Sequence, residues 1–143
     1  MRMNYRFVSR QLGMLCFVLA ASMLPPIVYE IAVSAWGDAI EWESAKALGW
    51  AVVAAAAMGV VLWFGGARQD FDQLGRREAL LLVSLSWLLG AALSALPFYI
   101  YAHNVPASFV DEYLAAAPFR SITGSYFEAT SGLTTTGATV LSN

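Results

Sequence analysis

The residues best suited to chemistry form one polar segment, Thr134-Thr135-Thr136-Gly137-Ala138-Thr139, near the end of the 143-residue chain. An extended backbone over this segment leaves its carbonyl oxygens without partners, and the threonine hydroxyls supply further oxygens. Gly137 permits a positive φ, which lets successive carbonyls face the same axis. Such oxygens, without the carboxylates typical of a Ca²⁺ site, suit a dehydrated monovalent cation such as K⁺. A threonine-rich tract is by itself a weak signal, so the prediction depends on the elements that position it.

The composition predicts a membrane protein. Hydrophobic residues make up 59% of the chain and charged residues only 13%, whereas about a quarter of a soluble domain is charged. A net charge of −2 gives no basis for binding nucleic acid. The single Cys16 and single His103 provide neither an intrachain disulfide nor a metal cluster. Because the threonines 134–136 also lack an acid–base pair, we predict a non-enzyme without a resident cofactor.

Three apolar runs predict an all-α membrane protein with transmembrane helices at about 12–33, 47–64 and 79–101. The first run is too long for the apolar core of a signal peptide, and no cleavage site follows it. Pro25-Pro26 should kink this first helix, because two backbone donors are missing. Glu30, one turn later, either reaches water at the outer interface or has a buried functional role.

The distribution of basic residues predicts the orientation. The N-terminal segment and the 65–78 loop carry six of the eight Lys and Arg residues, so the N-terminus should be cytoplasmic. Three spans then place everything after Tyr101 outside. Five acids on that face form either an ordinary solvated surface or a mild cation-attracting field: Asp38, Glu41, Glu43, Asp111 and Glu112.

A short helix is predicted at about 121–132, with Ser121 and Thr123 as possible caps and Gly132 as its stop. About ten residues rise roughly 15 Å, which is half of a hydrocarbon core about 30 Å thick. A helix of this length that enters from outside must return there, so we predict a re-entrant half-helix followed by an extended loop. Its C-terminal end carries partial negative charge and would favour a cation at mid-depth.

Glu128 lies on this predicted half-helix and has two interpretations. In the first, its carboxylate braces the loop at 134–139 from behind by accepting bonds from backbone N–H groups. In the second, it lies near the outer mouth, where it contacts water or pairs with Arg120. The sequence leaves both open.

Three stretches carry a resemblance to a known family: Arg77-Glu78-Ala79-Leu80-Leu81-Leu82-Val83, then Leu96-Pro97-Phe98, then Tyr126-Phe127-Glu128-Ala129-Thr130-Ser131-Gly132-Leu133-Thr134-Thr135-Thr136-Gly137-Ala138-Thr139. Together they resemble the start of the TrkH family, the membrane subunits of bacterial Trk potassium uptake within the Trk/Ktr/HKT superfamily. The resemblance covers essentially the whole chain. It implies a multi-pass protein of the bacterial inner membrane, with four membrane–pore-loop–membrane repeats around one K⁺ pathway.

The resemblance also implies a division of the chain. Residues 1–70 would form an N-terminal two-helix transmembrane unit, and residues 77–143 would form the first pore repeat up to its filter at 134–139. The chain stops before the helix that should close this repeat, so we expect an N-terminal fragment. The family pattern implies these K⁺ ligands, mainly through backbone carbonyls: Thr134, Thr135, Thr136 and Gly137. It implies two supporting residues, Glu128 and Gly132.

The function expected from the resemblance is uptake of K⁺ as the transported ion, by a homodimer with a cytosolic nucleotide-binding regulatory subunit, TrkA. Ala138 replaces the tyrosine that follows the filter glycine in simple potassium channels, which implies looser discrimination among K⁺, Rb⁺ and Na⁺. The alternative is a structural or sensory membrane subunit without its own ion pathway. That alternative accounts for the three spans but leaves the half-helix and the threonine–glycine loop unexplained.

Overall fold

The computed structural model describes residues 5–36, 39–66, 75–105 and 114–141. Within these ranges all regular structure is helical and no strand occurs. Most of the predicted 65–78 loop and the acids Asp38, Asp111 and Glu112 lie outside the described residues. The helices are α1 (Tyr5–Ser22), α2 (Leu24–Ser34), α3 (Ala39–Gly65), α4 (Arg76–Asn104), a 3-10 helix (Leu114–Arg120) and α5 (Ile122–Leu133).

Three helical stretches are long and apolar enough to cross a membrane: Tyr5–Ala32, Trp42–Gly65 and Arg76–Asn104. The three predicted spans are therefore confirmed as candidate spans by length and composition, and each stretch is longer than the apolar run that predicted it. The helices continue into polar residues because helical backbone bonding does not require apolar side chains. Most of the link predicted at 34–46 is thus helical, and Lys46 pairs with Glu43 across one turn of α3 at 2.5 Å.

The first span is interrupted at Met23, between α1 and α2. Pro25 and Pro26 have no N–H groups, so the carbonyls four residues before them lose their helical donors. The Met23 nitrogen lies 3.3 Å from the Leu19 carbonyl oxygen and 3.3 Å from that of the residue after Leu19. Sharing one N–H between these two acceptors tightens the last turn of α1. The prolines therefore disturb this span where the sequence predicts. Glu30 is half-buried on α2, and its two interpretations remain predictions.

Helices α1 and α3 pack antiparallel through small residues. A Cβ atom added to Gly13 would lie 2.8 Å from the Trp63 backbone nitrogen and 2.9 Å from the Gly59 carbonyl oxygen. The Ser9 hydroxyl also donates to the Leu62 carbonyl oxygen at 2.8 Å. Backbones approach this closely only where no side chain separates them. The small residues of the second span predict such close packing.

The core lies where α1, α3 and α4 meet. Cys16 is completely buried there beside Ala20, Ala55 and Leu93, which confirms that it is a small packing residue. The outward faces of the long helices are apolar, as expected of surfaces that contact lipid rather than water. Exposed examples are Val18, Trp50, Val61, Leu80 and Leu88.

Helix α5 lies against the second half of α4 and runs antiparallel to it. Immediately before α5, Arg120 donates from Nε to the Ala102 carbonyl oxygen at 3.1 Å, near the end of α4. At the other end of α5, the Leu133 side chain lies 3.9 Å from the position of a Cβ on Gly90. Gly90 is the central residue of α4. Helix α5 therefore begins beside the end of α4 and ends beside its middle.

The start of α5 differs from the prediction in how it is held. Ser121 occupies the N-cap position, but its side chain makes no capping hydrogen bond, and Thr123 lies inside the helix. The hydrogen bond at this end of α5 comes from Ser125 instead. Its side chain is 1% exposed and donates from Oγ to the Phe119 carbonyl oxygen at 2.8 Å. Because the 3-10 helix leads directly into α5, this bond ties the first turn to the residues before it.

Candidate functional site

Helix α5 ends in a Schellman motif made by the threonines that follow it. The Thr136 N–H donates to the Ser131 carbonyl oxygen at 3.1 Å, and the Thr135 N–H donates to that of Gly132 at 3.2 Å. These are the two bonds that define this motif around the cap residue Thr134. The prediction that Gly132 stops the helix is therefore wrong. Gly132 lies inside α5, which ends one residue later. The N–H groups of Thr135 and Thr136 then cap the last carbonyl oxygens of the helix.

Thr135 adopts a left-handed backbone with φ of 54°. This position in a Schellman motif is usually glycine, because a side chain there is strained. For a β-branched residue the conformation costs about 1–3 kcal/mol. The sequence predicted an extended backbone at the threonines, and Thr135 departs from it because its N–H is bonded back to α5.

The sign of φ alternates along the candidate site. Thr134 has φ of −87°, Thr135 has 54°, Thr136 is negative and Gly137 has 71°. Among the described residues, only Thr135 and Gly137 have positive φ. Gly137 thus adopts the conformation for which the sequence analysis singled it out.

The carbonyl oxygens of Thr134 and Thr135 point away from α5. In a trans peptide each carbonyl is directed opposite to the N–H of the next residue. The N–H groups of Thr135 and Thr136 are bonded back to the last turn of α5, so the preceding carbonyls face the other way. No hydrogen bond among the described residues ends on a carbonyl oxygen of the segment 134–137, and these residues are exposed. Within the part of the chain that the structure describes, these oxygens therefore have no hydrogen-bond donor.

The threonine hydroxyls at the start of the segment are directed to each other. Thr134 donates from Oγ1 to the Thr130 carbonyl oxygen at 2.8 Å, and its Oγ1 lies 2.7 Å from Oγ1 of Thr136. Since the single proton of Thr134 goes to Thr130, the Thr136 hydroxyl is the donor to Thr134. Backbone carbonyls, more than these hydroxyls, thus provide the free oxygens of the site.

Glu128 contacts the far end of the segment. Both carboxylate oxygens lie 3.1 Å from the Thr139 hydroxyl, and Oε2 accepts the Val140 N–H at 3.1 Å. Arg120 donates to the Ala102 carbonyl oxygen instead, so the pairing of Glu128 with Arg120 is not the contact observed. Glu128 therefore contacts the end of the segment, but the N–H that it accepts belongs to Val140, beyond residues 134–139, so its first interpretation remains a prediction. Thr139 and Val140 as its partners were not predicted, since nothing in the sequence links residues 11 and 12 positions apart.

No protein-family model and no solved structure matches the chain. Several curated proteins do, each named Trk system potassium uptake protein TrkH. The chain is 32% identical over 140 residues to that of Salmonella typhimurium (strain LT2) and 31% identical over 140 residues to that of Escherichia coli (strain K12). It is 30% identical over 139 residues to that of Halomonas elongata.

Each of these matches covers 97% of this chain but 24% of the relative. The chain therefore spans about a quarter of the length of the curated relatives that it matches. The similarity runs through all three candidate spans and through the site at the end of α5, because it covers nearly every residue. Over about a quarter of their length, the TrkH potassium uptake proteins of these bacteria are similar to nearly the whole of this chain.

Proposed function

We propose that this chain supplies one K⁺-coordinating segment of a longer, four-repeat potassium uptake protein, in which backbone carbonyls of residues 134–137 line a selectivity filter. The observation that carries the proposal is the direction of the carbonyl oxygens of Thr134 and Thr135, which point away from α5 and accept no hydrogen bond from the described residues. A ring of such oxygens can replace the hydration shell of K⁺.

The length and placement of α5 support a re-entrant half-helix. Its 12 residues rise about 18 Å. It ends beside Gly90 at the middle of α4 and shares a cleft with Leu19, near the middle of the first span. With α4 across a bilayer, residues 134–137 lie at mid-depth, where each unpaired carbonyl costs several kcal/mol. A dehydrated cation offsets that cost, and the partial negative end of α5 favours it.

The complete protein, on this proposal, lies in the bacterial inner membrane with a cytoplasmic N-terminus, as the arginine distribution supports. One segment cannot encircle an ion, so three more filter segments come from the rest of the complete protein. The family resemblance supports a homodimer and the regulatory subunit TrkA. The relatives are named as uptake proteins, so the alternative of a structural or sensory subunit is not favoured.

The test is Rb⁺ uptake, with K⁺ and Na⁺ as competitors, by the complete protein in cells that lack their own K⁺ uptake systems. We expect uptake by the wild type and a loss of K⁺-over-Na⁺ preference of at least about tenfold in Gly137→Asp, since a side chain disfavours the φ of this residue. Gly49→Ala is the matched control, because a Cβ at Gly49 meets nothing within 4 Å.

Absence of Rb⁺ uptake by the wild type would contradict the proposed function. A Gly137→Asp variant that keeps the wild-type preference for K⁺ would contradict the assignment of the filter. A loss of preference in Gly49→Ala as large as in Gly137→Asp would contradict it too, because the effect would then not depend on the left-handed backbone.

A further inference from the structure

The segment after Gly137 returns to α5 and is held there by a single carboxylate. Glu128 receives the Val140 N–H at Oε2 and the Thr139 hydroxyl, which lies 3.1 Å from both of its oxygens. The Thr139 hydroxyl oxygen in turn accepts the Leu141 N–H at 3.1 Å. Three consecutive residues are thus tied, directly or through one hydroxyl, to a half-buried side chain on α5.

We propose that Glu128 and Thr139 are a pair of positioning residues that set the spacing of the carbonyl ligands and thereby the preference for K⁺ over Na⁺. This inference rests on the proposed function of residues 134–137 as a filter. Thr139 is the new member of the pair, since its hydroxyl connects the carboxylate to the backbone beyond the filter. We name this set of bonds the Glu128–Thr139 clamp.

The physical basis is that the segment is attached to α5 at two ends. At the near end, the N–H groups of Thr135 and Thr136 bond to the last turn of α5. At the far end, the Glu128–Thr139 clamp holds Thr139 and Val140. Carbonyl ligands discriminate between cations through their number, spacing and freedom to move. Release of the far end lets the carbonyls between the two attachments close around a smaller ion.

The chemistry of the pair dictates which substitutions break it. Glu128→Gln replaces one acceptor oxygen with an NH₂ donor, so the Thr139 hydroxyl loses one of its two acceptors and the remaining bonds go to a single neutral oxygen. Thr139→Val keeps the shape but removes the hydroxyl, whereas Thr139→Ser keeps the hydroxyl and removes only a methyl group. Thr123→Val is the matched control, because Thr123 is exposed in the first turn of α5, away from the clamp.

The first measurement is hydrogen exchange at the Val140 and Leu141 amides of the complete protein in detergent. We expect protection in the wild type and exchange at least about tenfold faster in Glu128→Gln, since an amide replaces the carboxylate that accepts the Val140 N–H. Thr123→Val should leave the exchange rate unchanged. Exchange in the wild type at the rate of an exposed loop would overturn the clamp, whether or not the protein transports ions.

The second measurement is Na⁺ competition against Rb⁺ uptake. We expect Glu128→Gln and Thr139→Val each to reduce discrimination by about tenfold, and the double variant to be no worse than the worse single variant. Thr139→Ser should retain discrimination within about twofold. Equal losses in Thr139→Ser and Thr139→Val would overturn the role of the hydroxyl. Additive losses would overturn the pairing, and a lower maximal rate with unchanged discrimination would reduce it to a structural bond.

The outcomes separate this inference from the one it rests on. A wild type that fails to take up Rb⁺ contradicts the proposed function and the positioning role together. A wild type that takes up Rb⁺ and loses its preference in Gly137→Asp, but keeps it in both clamp variants, contradicts the positioning role only.

Discussion

The α1–α3 interface and the two ends of α5 are held in place by different means. At α1–α3, Gly13 brings the two backbones into contact, and the Phe17 ring lies against Gly59. At the two ends of α5, polar side chains bond to backbone groups: Ser125 to the Phe119 carbonyl, Arg120 to the Ala102 carbonyl of α4, and Glu128 to the Val140 N–H.

The difference follows from what each region must do with its backbone. Helices α1 and α3 satisfy their own N–H and C=O groups along most of their length, so their interface depends mainly on close shape, with one added bond from Ser9 to the Leu62 carbonyl oxygen. Chain that enters and leaves a short helix has unpaired backbone groups, which are costly away from water. Polar side chains therefore collect where helices begin and end. Three substitutions test this contrast.

The largest effect is expected at the glycine contact. Gly13→Ala should lower the free energy of unfolding by about 1–3 kcal/mol, because the added methyl meets the backbone of α3 rather than a movable side chain. Gly49→Ala, also in a helix but in open space, should be neutral or stabilise by up to about 1 kcal/mol through helix propensity. Thermal unfolding of the complete protein in detergent measures both. Shifts of the same sign and size would show that the α1–α3 contact is not tight.

A smaller effect is expected at the start of α5. Ser125→Ala removes a buried hydroxyl and leaves the Phe119 carbonyl unpaired, at a cost of about 1–2 kcal/mol. Ser121→Ala should cost almost nothing, since Ser121 makes no capping bond, although an N-cap serine usually contributes about 1 kcal/mol. Unfolding midpoints compare the two variants. A larger loss in Ser121→Ala would mean that the ordinary cap, and not the buried bond, holds this helix.

The smallest effect is expected at the strained threonine. Thr135→Gly removes the side chain from a left-handed backbone and should raise the free energy of unfolding by up to about 1 kcal/mol. The gain is limited because glycine loses more chain entropy on folding. Thr134→Gly, at negative φ and with two hydroxyl bonds, should instead lower stability by about 1 kcal/mol. Equal destabilisation by both changes, measured by thermal unfolding, would show that Thr135 is not strained.

The sequence by itself determined the three spans, the short helix at their end and the special backbone of Gly137. These features depend on local properties, namely the length of apolar runs, the interruption by Pro25-Pro26 and the freedom of glycine at positive φ. The helix boundaries were less well predicted, because α3 and α4 continue into polar residues once their backbone bonds have started.

Only the tertiary structure decided how the site is held. The structure shows that the threonines, and not Gly132, cap the end of α5, and that Ser125, and not Ser121, fixes its start. Both outcomes depend on where the residues just before and after α5 place their donors and acceptors. Glu128 and Thr139 meet because the backbone turns back at Thr135 and Gly137. Contacts between residues on either side of such a turn follow from the path of the chain, which no local pattern of residue types records.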